Sequence, residues 1–131
     1  MSSIEAAQDD LVGRRVLIVE DETVVALMIE DMLDDLGYQL AGSLASLEKA
    51  LEAAQDTDAD VALLDVNIGG KEIFPVAERL RQRGIPLIFA TGYGNAGLPA
   101  AWRDVTVLAK PFVLEDLSRA LGRALAGAAR G

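Results

Sequence analysis

The sequence contains no cysteine and no histidine. The first absence excludes disulfides and thiolate metal sites. The second excludes imidazole ligands, histidine general bases and any phosphohistidine originating in this chain. Aromatic residues are scarce, with one Trp, two Tyr and three Phe. No uninterrupted apolar run nears the roughly 20 residues that a membrane-spanning helix needs. The start, Met1-Ser2-Ser3-Ile4-Glu5, lacks the basic and apolar regions of a signal peptide. These absences point away from the membrane and toward the cytoplasm. Basic residues are also few: 12 Lys and Arg stand against 21 Asp and Glu, a net charge of −9. Such a surface repels phosphate backbones, so no nucleic-acid partner is expected. Clustered acids invite a divalent cation or a basic protein surface instead.

What is present is one domain's worth of chain. At 131 residues, 51% hydrophobic and 25% charged, the composition is that of an ordinary globular domain. Residues 1–13 are polar and read as an extension, with the domain over 14–131. Val61-Ala62-Leu63-Leu64 runs straight into Asp65. A short continuous apolar run of this kind reads as a strand buried on both faces of a parallel sheet. Val16-Leu17-Ile18-Val19 repeats the pattern and ends in Glu20-Asp21-Glu22. Tyr38 to Gly42, Pro86 to Ala90 and Val105 to Ala109 read as the other strands, and Thr91 and Lys110 follow the last two.

Between the strands the period becomes helical. Val25, Met28, Ile29, Met32, Leu33 and Leu36 share one face of a helix over 22–36, and Gly37 suits its stop. Val24 and Leu27, beside Asp31, make a candidate docking surface. Ser46 caps a second helix with Leu47, Ala50 and Leu51 inward, and a third runs from Phe74 to Arg83. Arg79, Arg81 and Arg83 complement the negative end of that third helix. Residues 66–72 read as a loop. Pro99 to Trp102 leaves room for only one turn where a fourth helix would lie. Leu114, Leu117, Leu121 and Leu125 line one face of a closing helix, and the alanines on its other side are expected in solvent, a dimer face being the alternative. Strands alternating with helices predict an α/β, flavodoxin-like five-stranded parallel sheet of order 2-1-3-4-5, with helices on both faces and a shortened fourth helix.

That topology brings the ends of strands 1, 3, 4 and 5 together, and with them Glu20, Asp21, Asp65, Thr91 and Lys110. Three carboxylates in one crevice repel, so they take up protons or bind a cation. An all-oxygen site suits a hard ion such as Mg²⁺. With the charge neutralised, a phosphoryl group can approach and a carboxylate can attack it. Lys110 would stabilise charge on the transferring group, and Thr91 could hydrogen-bond one of its oxygens.

The set Glu20-Asp21, Asp65, Thr91 and Lys110-Pro111-Phe112 resembles the receiver domain of two-component response regulators, over about Arg14 to Gly127. The resemblance implies a phosphoacceptor, not an enzyme with a released product. Asp65 would take the phosphoryl group from a sensor histidine kinase or phosphotransfer protein. Mg²⁺, or Mn²⁺ in its place, would be held by Asp21, Asp65 and the backbone carbonyl of Asn67, with Glu20 acting through water. Thr91 would turn inward as a switch. Lys110 would pair with the phosphoryl group, and the Lys110-Pro111 bond would be cis. Two departures stand out: Val107 occupies a position usually aromatic in receivers, and the helix after Thr91 is nearly absent. With Pro86-Leu87-Ile88-Phe89-Ala90-Thr91-Gly92-Tyr93 and Asp65-Val66-Asn67-Ile68-Gly69-Gly70, these departures resemble the stand-alone FAT GUY receivers associated with alphaproteobacterial stress signalling. Tyr93, on a glycine-rich hinge, is expected to serve as a switch in place of the missing aromatic, the alternative being a loop tyrosine packed on Trp102. Because the closing helix consumes the chain, output is expected through contact with a downstream protein, or by acting as a phosphate sink or shuttle. Two other functions compete. An aspartate-nucleophile phosphatase of the haloacid dehalogenase type would need a second acid where Asn67 stands. A pseudo-receiver that binds partners without phosphorylation would not need the intact acids, Thr91 and Lys110.

Overall fold

The computed structural model describes residues 13–92 and 97–130. Most of the N-terminal extension, and the proposed switch residue Tyr93, lie outside the described residues. The main sheet comprises β1 (Arg15–Val19), β2 (Gln39–Leu44), β3 (Val61–Asp65), β4 (Leu87–Thr91) and β5 (Thr106–Ala109). All neighbours pair in parallel, in the order β2-β1-β3-β4-β5. The helices are α1 (Thr23–Leu36), α2 (Leu47–Asp56), α3 (Phe74–Gln82) and α4 (Leu114–Arg130).

Side-chain alternation along the strands divides the interior in two. Leu17, Val19, Ala62, Leu64, Leu87 and Phe89 point to one face, where Ala50 and Ala54 of α2 and Val76, Ala77 and Leu80 of α3 cover them. Val16, Ile18, Val61, Leu63, Ile88 and Ala90 point to the other, under Ile29 and Leu33 of α1 and Leu117, Leu121 and Leu125 of α4. Burial on both faces is why the strands read as continuous apolar runs. Gly37 ends α1 in the left-handed region (φ 87°), and its N–H bonds back to Asp34 and Leu33.

Several expectations need correction. Residues 66–72 are not a plain loop: Asn67–Ile68 pairs antiparallel with Lys71–Glu72. The turn between them has two glycines at positive φ, Gly69 at 58° and Gly70 at 84°, as a type I′ hairpin turn requires. Met28 is 50% exposed; α1 buries a stripe centred on Ala26, Ile29 and Leu33, and Met28 falls at its margin. The alanines of α4 are not all in solvent. Ala120 and Ala124 are each 7% exposed and belong to the core, their small side chains letting the helix lie close to the sheet. Arg83 does not serve its own helix. Its guanidinium donates to the carbonyls of Ala54 (3.0 Å) and Thr57 (2.8 Å), satisfying orphan acceptors at the end of α2.

Among the described residues, the fourth-helix position holds a 3₁₀ turn, Ala100–Trp102. Trp102 closes the gap. It stacks on Phe74 (5.9 Å, 16°) and meets Phe89 edge-on (5.8 Å), with the Arg81 guanidinium 4.3 Å from its ring centre. Arg81 is itself held by Asp104 and the carbonyl of Ala101. The aromatic partners of Trp102 among the described residues are therefore core phenylalanines.

Candidate functional site

The strand order places the carboxyl ends of β1, β3, β4 and β5 at one rim, and the pairing fixes their relative height. Asp65 lies opposite Ala90, and Thr91 opposite Ala109. The Lys110 N–H donates to the Thr91 carbonyl at 2.9 Å, so β4 and β5 stay zipped to their last residues. The Lys110-Pro111 peptide is cis, as expected.

The Lys110 ammonium bridges two carboxylates: Nζ lies 2.7 Å from Glu20 Oε1 and 2.9 Å from Asp65 Oδ2. The second oxygen of Glu20 accepts the N–H of Glu22 at 3.1 Å. The second oxygen of Asp65 accepts the N–H of Asn67 at 3.1 Å. Asp21 stands at the open side, and its Oδ2 accepts the N–H of Gly69 at 2.9 Å. Glu20, Asp21 and Asp65 each offer an oxygen, and these oxygens lie within 4.8 Å of one another. Thr91 is buried at the end of β4. The structure thus gathers Glu20, Asp21, Asp65 and Lys110 into direct contact or near it, with Thr91 on the adjoining strand end. Asn67 is exposed, and its side-chain oxygen accepts the Gly70 N–H at 3.0 Å. Val107 is half-buried against the core.

Electrostatics follow the burial. Burial pushes the Glu20 carboxyl above its ordinary range, against the opposing hydrogen bonds from Lys110 and Glu22. Burial also disfavours the Lys110 ammonium, but the hydrogen bonds and charges of Glu20 and Asp65 prevail and hold it above its ordinary 10.5. At Asp21 burial acts upward and is outweighed by the Gly69 N–H and hydrogen bonding with Glu20, so its carboxyl lies below the usual range. One ammonium thus faces three acids.

The donor set fits a hard cation. It consists of carboxylate oxygens, with no nitrogen or sulfur ligand, and Asp21 opens it to water. Gly69 is the site residue that the sequence reading missed as a participant. Residues 66–72 read from the sequence only as a loop, and no local signal announces the reach of Gly69 to Asp21, 48 positions away.

Comparison with known proteins agrees with this geometry. The family described as the response regulator receiver domain matches residues 16–122. The transcriptional regulatory protein PdtaR of Mycobacterium tuberculosis is 30% identical over 117 residues, covering 86% of this chain and 57% of its own length. The chain thus spans about half the length of the curated relatives it matches. The solution structure of SdrG from Sphingomonas melonis Fr1 is 41% identical, with a TM-score of 0.76, covering 87% of this chain and 97% of that one. The receiver domain of the sensor histidine kinase PA1611 from Pseudomonas aeruginosa is 27% identical, with a TM-score of 0.71, covering 88% of this chain and 99% of that one. That structure has a magnesium ion coordinated in its active-site cleft.

Proposed function

This chain belongs to the response regulator receiver domain family, and from that premise we propose that it accepts a phosphoryl group on Asp65 and signals through the change that follows. The observation that carries the choice of Asp65 is the Lys110 bridge. Of the two carboxylates that Lys110 holds, the Glu20 side chain is only 2% exposed, whereas that of Asp65 is 13% exposed. A phosphoryl group can reach Asp65 and not Glu20. Asp21 is open to solvent but makes no bond to Lys110 among the described residues. Glu20, Asp21, Asp65 and the Asn67 carbonyl would hold Mg²⁺, which when bound supplies positive charge against the phosphoryl oxygens.

Asp65 attacks phosphorus with one carboxylate oxygen. A P–O bond forms as the P–N bond of a donor phosphohistidine breaks, and the bonding pair stays on the departing imidazole nitrogen. Lys110 keeps its proton and its charge throughout, positioned to follow the charge onto the phosphoryl oxygens. Thr91, at the end of the neighbouring strand, would hydrogen-bond one of those oxygens. Asn67 supplies no general acid or base, since it is an amide. This favours a stable acyl phosphate over the turnover of a phosphatase.

The phosphodonor would be a sensor histidine kinase or a phosphotransfer protein. Its landing surface would be α1, where Val24 is 71% and Leu27 55% exposed. An apolar groove of about 270 Å³ is lined by Val25, Met28 and Met32 of the same helix together with Lys110 and Pro111. Among the described residues no helix is long and apolar enough to cross a membrane, and a cytoplasmic setting is part of the proposal. The Pro86–Tyr93 run supports placement among the FAT GUY receivers of stress signalling, with Tyr93 replacing the aromatic absent at Val107 and a downstream protein reading the result.

Intact mass after incubation with Mg²⁺ and acetyl phosphate tests the proposal. The expected gain is one phosphoryl group, lost in Asp65→Asn and in the absence of divalent cation. A gain that survives Asp65→Asn overturns the assignment, and sustained release of product from a generic phosphate ester would mark a phosphatase.

A further inference from the structure

The ribbon formed by residues 67–72 makes contacts that a mere connection between β3 and α3 does not require. Its outward strand hydrogen-bonds Asp65 through the Asn67 N–H (3.1 Å). Its tip hydrogen-bonds Asp21 through the Gly69 N–H (2.9 Å). Ile68, between those two donors, is buried in the core beneath α3. The Gly70 N–H closes the turn onto the Asn67 side chain (3.0 Å), and the Ile73 N–H returns to the Val66 carbonyl (2.9 Å). One short hairpin therefore grips a carboxylate from β1 and a carboxylate from β3 while anchored by its own apolar residue.

We propose that this ribbon is a clamp that orients the two aspartates for the cation, with Gly69 as its positioning residue. The inference rests on the reading of the site as a divalent-cation pocket. Each aspartate gives one oxygen to a ribbon N–H: Oδ1 of Asp65 and Oδ2 of Asp21. That leaves Oδ1 of Asp21 as its oxygen for the ion and restricts the rotation of both carboxylates before the ion arrives. A site preorganised in this way binds more tightly, because less side-chain freedom is lost on binding. Linkage makes the effect reciprocal: if the clamped ribbon favours cation binding, the cation favours the clamped ribbon.

The conformation of Gly69 supplies the means of testing this. Its φ of 58° lies in the left-handed region, and a Cβ there would meet no atom within 4 Å. A side chain is therefore opposed by backbone strain and not by space. Asparagine tolerates that conformation, whereas a β-branched residue does not. In the full chain, Mg²⁺ alone is titrated by calorimetry into wild type, Gly69→Asn and Gly69→Val. The clamp predicts that Gly69→Val weakens Mg²⁺ binding about tenfold, the scale of one lost charge-assisted hydrogen bond, while Gly69→Asn stays within about twofold of wild type. Amide hydrogen exchange of wild type supplies a readout independent of any variant: Mg²⁺ should slow exchange at Gly69. Wild-type affinity in Gly69→Val, or exchange at Gly69 indifferent to Mg²⁺, overturns the clamp while leaving the site intact. Failure of wild type itself to take up Mg²⁺ at millimolar concentration overturns the cation-pocket reading, and the clamp with it.

Discussion

The two ends of the sheet treat charge in opposite ways. At the amino ends of the strands, charged side chains are taken up by partners within the chain. Arg15 pairs with Asp58 at 3.0 Å, and its N–H is taken by Asp60 at 2.8 Å. Arg83 is consumed by the carbonyls of α2. At the carboxyl ends, Lys110 is the one cation among the described residues shown bonded to Glu20 and Asp65, with Asp21 nearby. The first end is a set of closed contacts, and its ion pair, Arg15–Asp58, is worth little because it is largely in water. The second is a standing imbalance in a half-buried place, where an added cation has most to gain. The contrast explains why acids at a strand terminus can mean different things: one matched by a cation of its own holds the fold, whereas three that share one ammonium leave negative charge for a cation to neutralise.

The largest effect expected from this contrast is stabilisation by the missing charge. A cation that binds only the folded chain should add about 2.7 kcal/mol at about 100 times its Kd, read as a rise in Tm with Mg²⁺. If the Tm does not move, the carboxyl end is as balanced as the amino end and the comparison fails. Burial raises the pKa of Glu20, so the folded state pays for its ionised form as pH rises through that value. The rise in Tm should therefore be larger at neutral pH than in acid.

Next in size is Lys110→Ala. It strips the charge partner from a buried carboxylate and should cost about 2 kcal/mol in chemical denaturation without Mg²⁺, part of it recovered by Mg²⁺. The Lys110 pKa is raised, so its contribution is fully present at neutral pH and is lost only as pH climbs through the folded value above 10.5. A Lys110→Ala chain as stable as wild type would show that the bridge adds nothing to the fold. The smallest effect belongs to the amino end. Asp58→Ala breaks a pair whose acid is 70% exposed and should cost at most about 0.5 kcal/mol, with Mg²⁺ affinity unchanged. A change in that affinity would mean that the two ends are coupled.

The fold was legible because its signals are local. Each buried strand is a short apolar run, and the helices are periodic stripes, α1 closed by Gly37 and α2 capped by Ser46. The reading failed where the outcome depended on distance. Ala120 and Ala124 look like solvent residues until α4 is laid against the sheet. Arg83 looks like a partner for its own helix until α2 is set beside it. The ribbon over residues 67–72 is too short for periodicity to announce, and its glycines signal only a turn.

The order of apolar runs and the residues that end them determined the topology and the membership of the site, because right-handed parallel crossovers leave few ways to arrange such strands. Packing alone decided how those members share their contacts: Lys110 between Glu20 and Asp65, Gly69 on Asp21, Trp102 filling the place of a helix. Such bonds join residues tens of positions apart at distances near 3 Å. No local pattern encodes separations that fine, so they emerge only when the whole chain is folded.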